Sequence, residues 1–92
     1  KRQLQYEVLT MRVAVDISLY PLDTDFILPI EDVIDRLNTY DSIDVVTNPM
    51  ATQLRGEYDQ VMDALKREIG TTFEQIPKAV FAIKILNNPI AG

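Results

Sequence analysis

Met11–Tyr20 (MRVAVDISLY) alternates apolar and polar residues at every position, and this constrains the fold more than any other segment. Met11, Val13, Val15, Ile17 and Leu19 fall on one side; Arg12, Ala14, Asp16, Ser18 and Tyr20 fall on the other. A period of two with β-branched enrichment predicts a half-buried strand. Pro21 is expected to end it, because a central strand cannot spare a ladder N–H.

The rest of the chain must supply partners for that strand. Asp23, Thr24 and Asp25 offer helix-capping oxygens, and Phe26, Ile30, Val33, Ile34 and Leu37 recur at helical spacing, with Pro29 suited to the first turn. Glu31, Asp32 and Asp35 precede Arg36, the order that complements the helix dipole. After a turn at Tyr40-Asp41-Ser42, Ile43–Thr47 reads as a second strand. Asn48-Pro49 breaks it, and Met50–Arg55 resumes as a third, forming a hairpin. Gly56 supplies backbone freedom before a second helix, Tyr58–Ile69, whose stripe is Tyr58, Val61, Met62, Leu65 and Ile69. Glu57 and Asp59 suit its N-terminus, Asp63 and Arg67 are spaced for an i,i+4 pair, and Gly70 is the expected stop. Lys78–Leu86 (KAVFAIKIL) is the last predicted strand.

The order β-α-β-β-α-β, with right-handed crossovers, predicts an α+β fold, the ferredoxin-like sandwich: a four-stranded antiparallel sheet in order 4-1-3-2, both helices on one face. The 92 residues form one domain, with a core over residues 11–86 and flexible ends at 1–10 and 87–92. The chain opens on Lys1 rather than Met, which points to an upstream stretch removed or left out. Two helices cover one side of the sheet, so Ala14, Asp16, Ser18 and Tyr20 mark an open face. A domain of this size buries only roughly 60–70% of its unfolded surface. Self-association is therefore expected, as a homodimer or homotetramer.

Composition narrows function by exclusion. The chain has no Cys and no His, which rules out a disulfide framework, a zinc finger and any Cys–His or Ser–His catalytic pair. A metal site would have to be all-oxygen, and Asp35, Asp41 and Asp44 lack EF-hand spacing. No carboxylate pair stands at a recognisable catalytic spacing, so the chain is not expected to be an enzyme and no cofactor is expected. The 9 basic and 14 acidic residues give a net charge of −5 without a clustered basic footprint, so no nucleic-acid partner is expected. No apolar run approaches the ~20 residues of a membrane span. No membrane partner is expected, and a cytoplasmic location is the default.

Adjacent, oppositely running first and third strands bring distant residues to one rim. The hydroxyls of Ser18, Thr47 and Thr52, the amide of Asn48, the ring of Tyr20 and the thioether of Met50 converge there. A few fixed polar groups on an apolar surface are what a small-molecule pocket requires. Each residue also has a structural reading. Ser18 and Thr52 would bond the backbone, Tyr20 would pack on the first helix, Met50 would fill a core gap, and Thr24 and Asp25 would cap. Asp16 is the anomaly: a mid-strand carboxylate must face water, pair with Arg55 or Arg12, or bind a ligand.

VDISLYPLDTDFILPI and VVTNPMATQLRGEYDQVMDAL carry a resemblance. Ser18-Leu19-Tyr20-Pro21 ends the first strand; Asp25-Phe26-Ile27 opens the helix; Pro49-Met50-Ala51-Thr52 leads to Gly56-Glu57-Tyr58-Asp59. Together these resemble the YkoF-like family of thiamine- and hydroxymethylpyrimidine-binding proteins and their single-domain relatives, over residues 13–69 and weakly in the last strand. Ala51 departs from the Gly or Ser often found there, which puts a ligand contact at that position in doubt. The resemblance implies assembly of two or more copies and thiamine or its pyrimidine as ligand. Tyr20 would stack on an aminopyrimidine, hydroxyls and the amide would satisfy its edge, and Asp16 or Glu57 would face the cationic thiazolium. The competing expectation is a structural or regulatory oligomerisation module without a ligand.

Overall fold

In the computed structural model, residues 11–22 and 27–87 are described. They form β1 (Arg12–Pro21), α1 (Ile27–Leu37), β2 (Asp44–Thr47), β3 (Thr52–Glu57), α2 (Tyr58–Gln75) and β4 (Ala79–Asn87). The strands make one antiparallel sheet in order β2-β3-β1-β4, the expected order read from the other edge. The expected caps at Asp23, Thr24 and Asp25, the stripe residue Phe26 and the flexible ends 1–10 and 88–92 lie outside the described residues.

β1 alternates as its sequence requires. Val13, Val15, Ile17 and Leu19 are buried beneath the helices, while Ala14, Asp16 and Ser18 are half-buried and Tyr20 exposed on the open face. Leu54 of β3, Val33 and Leu37 of α1, and Val61, Ala64 and Leu65 of α2 complete the core. Such burial offsets chain entropy at about 25 cal/mol per Å² of apolar surface.

β1 ends at Pro21 as expected, although the proline itself is still paired, opposite Ala79, and Leu22 N–H donates to the Lys78 carbonyl at 3.1 Å. The β1–β3 ladder stops earlier, at Ile17 opposite Thr52, so the proline sits where one flank of the strand is already unpaired. β3 begins at Thr52 rather than Met50, because Asn48 Oδ1 accepts from the Met50 and Ala51 N–H groups at 2.8 and 3.0 Å. It continues to Glu57, whose carboxylate then caps α2 by accepting from Gln60 N–H. β4 also runs on, since Asn87, expected in the tail, pairs with Val13.

Gly56 serves close packing rather than backbone freedom. A Cβ there would stand 3.1 Å from a Val61 methyl and 3.3 Å from the Ser42 carbonyl oxygen. Gly70 is not the expected stop, because α2 passes through it to Gln75. The extra turn is anchored by buried Thr72, and Phe73 rests 5.7 Å from the Phe81 ring. The buried face of α2 is accordingly Val61, Ala64, Leu65, Glu68 and Thr72, rotated from the expected stripe, and Tyr58 is partly exposed. Gly70 faces solvent, with nothing within 4 Å of an added Cβ. Gly70→Ala should therefore raise the unfolding free energy by about 0.5–1 kcal/mol, read as a higher urea midpoint at unchanged slope.

One polar cluster ties the helices together. Glu68 Oε1 accepts from Arg36 Nε at 2.5 Å, its Oε2 accepts from the Tyr40 hydroxyl at 2.7 Å, and Arg36 Nη2 donates to Thr72 Oγ1 at 2.8 Å. Asp63 and Arg67 do not close the expected i,i+4 pair; Arg67 interacts with Tyr40 instead. Burial, and then the hydrogen bond and charge of Glu68, hold the Tyr40 hydroxyl above its ordinary value of 10.0, with Arg67 opposing. The folded state thus retains a proton that the unfolded chain releases first. This contribution is complete below pH 10 and lost as the pH climbs through the raised value. Tyr40→Phe should flatten that alkaline loss in urea titrations at successive pH values.

Candidate functional site

A cavity of ≈ 460 Å³ opens at the end of the sheet where β1 and β3 part. Its sheet wall is Ile17 to Leu22, its helix wall Ile30, Val33, Ile34 and Leu37 of α1, and its rim the 47–52 hairpin; Phe81 of β4 closes the back. The helix wall exists because α1 lays these residues toward β1 at i, i+3, i+4 and i+7. The size lies within the roughly 300–1,000 Å³ of small-molecule sites. Among the described residues, no charged side chain lines it.

Six of the seven expected site residues line this cavity: Ser18, Tyr20, Thr47, Asn48, Met50 and Thr52. Ser18 and Thr52, far apart in sequence, flank the point where the β1–β3 ladder ends. The Thr47 and Thr52 hydroxyls lie 3.2 Å apart, and Thr52 is buried. Asn48 spends its side-chain oxygen on the turn, which does not engage its NH2. Met50 is 87% exposed, so it fills no core gap and instead overhangs the rim. Tyr20 is more than half exposed.

Asp16 is not brought to the cavity. It lies two residues back on the open face, with Lys84 of β4 and Gln53 of β3 as its cross-strand neighbours. Arg55 stands opposite Ala14 and Arg12 opposite Glu57, so the cation facing Asp16 is one that strand order alone does not pick out. The residues that sequence reasoning missed are the apolar walls, chiefly Leu22, Ile30, Ile34 and Phe81. Their signal was present, but helical and strand periodicity assigns such residues to a core, and only the gap between β1 and β3 turns part of that core into a wall.

Solved structures share this fold. A Streptococcus pneumoniae protein is 26% identical with a TM-score of 0.80, over 89% of this chain and 92% of its own. A Thermotoga maritima protein, described as a candidate for thiamine biosynthesis or salvage, has a TM-score of 0.76 at 20% identity, over 88% of this chain and 87% of its own. A domain of unknown function from Bacillus cereus has a TM-score of 0.65 at 21% identity, over 89% and 82%. Among curated proteins none matches the sequence. The model of the YKOF-related family matches residues 12–88, and the chain belongs to that family.

Proposed function

We propose that this chain is a non-catalytic small-molecule-binding protein of the cytoplasm, and that its ligand is thiamine or the hydroxymethylpyrimidine moiety of thiamine, in vitamin salvage, transport or homeostasis. The observation that carries the reading is the cavity itself: apolar walls, a rim of neutral donors and acceptors, and an opening beside an exposed aromatic ring. A flat, weakly polar heterocycle suits such walls; Tyr20, a lining residue with an exposed ring, would stack on it, and Ser18, Thr47, Asn48 and Thr52 would offer hydrogen bonds. Family membership and the description of the Thermotoga maritima protein support the same ligand class.

Isothermal titration with thiamine and with 4-amino-5-hydroxymethyl-2-methylpyrimidine tests the proposal. Saturable one-site binding is expected, with a rise in melting temperature that grows with ligand concentration. No heat and no thermal shift at millimolar ligand would reject it.

The sheet's open face favours a second role alongside, self-association as a homodimer or homotetramer. No described helix covers that face, and it exposes Val46, Val80 and Leu86. A regulatory or structural module acting through that face alone is the alternative reading. It would be selected by a stable oligomer in sedimentation experiments together with silence in the titrations above.

A further inference from the structure

Two hydrogen bonds fix the direction in which β1 aims its peptide groups. Tyr58 N–H donates to the Met11 carbonyl at 2.9 Å, so Met11 faces β3. Leu22 N–H donates to the Lys78 carbonyl, so Leu22 faces β4. In an antiparallel strand the N–H and C=O of one residue point to the same side, and successive residues alternate. The register between β1 and β4 runs without a skipped residue. Val13, Val15, Ile17, Leu19 and Pro21 therefore turn their peptide groups toward β3.

β3 answers the first three of these through Gly56, Leu54 and Thr52. The next rung would place Met50 opposite Leu19, and it is missing. Met50 N–H is held by Asn48 Oδ1, which bends the chain away before the rung can form. At Pro21 the unanswered side costs no donor, because proline has no N–H. At Leu19 it leaves both an N–H and a C=O, on a residue that is 7% exposed and lines the cavity. Among the described residues neither group has a partner. A buried backbone donor and acceptor left open together is uncommon.

We propose that the Leu19 peptide groups are the recognition element of the cavity, completing the missing rung with a ligand instead of with β3. This rests on the small-molecule reading of the site and narrows its ligand class. The occupant is a planar heterocycle that carries a hydrogen-bond donor beside an acceptor in the ring plane: the donor gives to Leu19 C=O, the acceptor takes from Leu19 N–H. An aminopyrimidine has this edge in its amino group and adjacent ring nitrogen. Side chains at the rim add stacking and secondary bonds, but the edge is read by backbone.

The test uses uniformly 15N-labelled protein and two probes, 4-amino-5-hydroxymethyl-2-methylpyrimidine and its 4-dimethylamino counterpart, which lacks the donor. The amino compound is expected to slow exchange of the Leu19 amide by about tenfold or more and to move its resonance downfield, and the dimethylamino compound to bind about tenfold or more weaker. If the amino compound binds while the Leu19 amide is unmoved, or if both bind equally, the backbone proposal falls and the site reading stands. If neither pyrimidine binds, and thiamine does not, both fall together.

Discussion

Replacing Glu68 with alanine is expected to lower the unfolding free energy by about 2–4 kcal/mol, one of the largest losses available from a single polar residue in this chain. Glu68 is 8% exposed and its two oxygens serve two different elements, Arg36 in α1 and Tyr40 in the turn that follows it. Removing one partner of a buried pair typically costs about 3–5 kcal/mol, because the surviving charge keeps its desolvation penalty. The Arg36 side chain retains 26% of its exposure, so water recovers part of that penalty and the lower range applies. Alanine also leaves the Tyr40 hydroxyl with Arg67 alone and Arg36 with Thr72 alone. Glu68→Gln keeps the shape and one hydrogen bond to each side, and should lose about half as much. In a domain of this size each kcal/mol moves the midpoint by about 4–8 °C, so thermal unfolding separates the three proteins clearly. Equal midpoints for wild type and Glu68→Ala would mean that the cluster contributes nothing net and that α1 is positioned by Val33 and Leu37 alone.

That cluster also marks where the sequence stops being readable. The sheet order followed from local signals, because period-two alternation in β1 and 3.6-residue periodicity in the helices each act over a few neighbours. The end of α2 did not. Gly70 is a stop signal by intrinsic preference, yet tertiary contacts of Thr72 with Arg36 and of Phe73 with Phe81 carry the helix onward. The same division runs through the site. Ser18, Thr47 and Thr52 could be placed at one rim because antiparallel neighbours fix which residues meet. The start of β3 was misplaced by two residues because a side-chain oxygen, Asn48 Oδ1, competes with the ladder for the Met50 N–H. That displacement is the gap on which the cavity depends. Asp16 is a candidate only because a mid-strand carboxylate must face water, find a base or bind a ligand; sharing a face with Ser18 does not carry it to the rim, since the two sit about 7 Å apart and Asp16 falls where the β1–β3 ladder is still closed.

Filling the cavity from its helix wall should abolish binding without unfolding the protein. Ile30 is half-buried, packs against the core and lines the cavity one helical turn from Ile34. An indole in place of its branched chain has nowhere to go inward, where Val33 and Leu37 are packed, and must occupy the space opposite Leu19 and Thr52. Overpacking a closed core costs about 1–3 kcal/mol. Here the recipient is open space, so Ile30→Trp should stay at the low end of that range, a fall of a few degrees in midpoint. Affinity for thiamine and for the hydroxymethylpyrimidine should fall by about a hundredfold or more, since about 2.7 kcal/mol is readily lost when a ligand must displace a packed side chain. Ile30→Ala is the counterpart: it widens the site, leaves the polar rim intact, and should weaken binding by only about tenfold through lost apolar contact. A tryptophan variant that is folded and still binds with native affinity would move the ligand out of this cavity and onto the open face of the sheet.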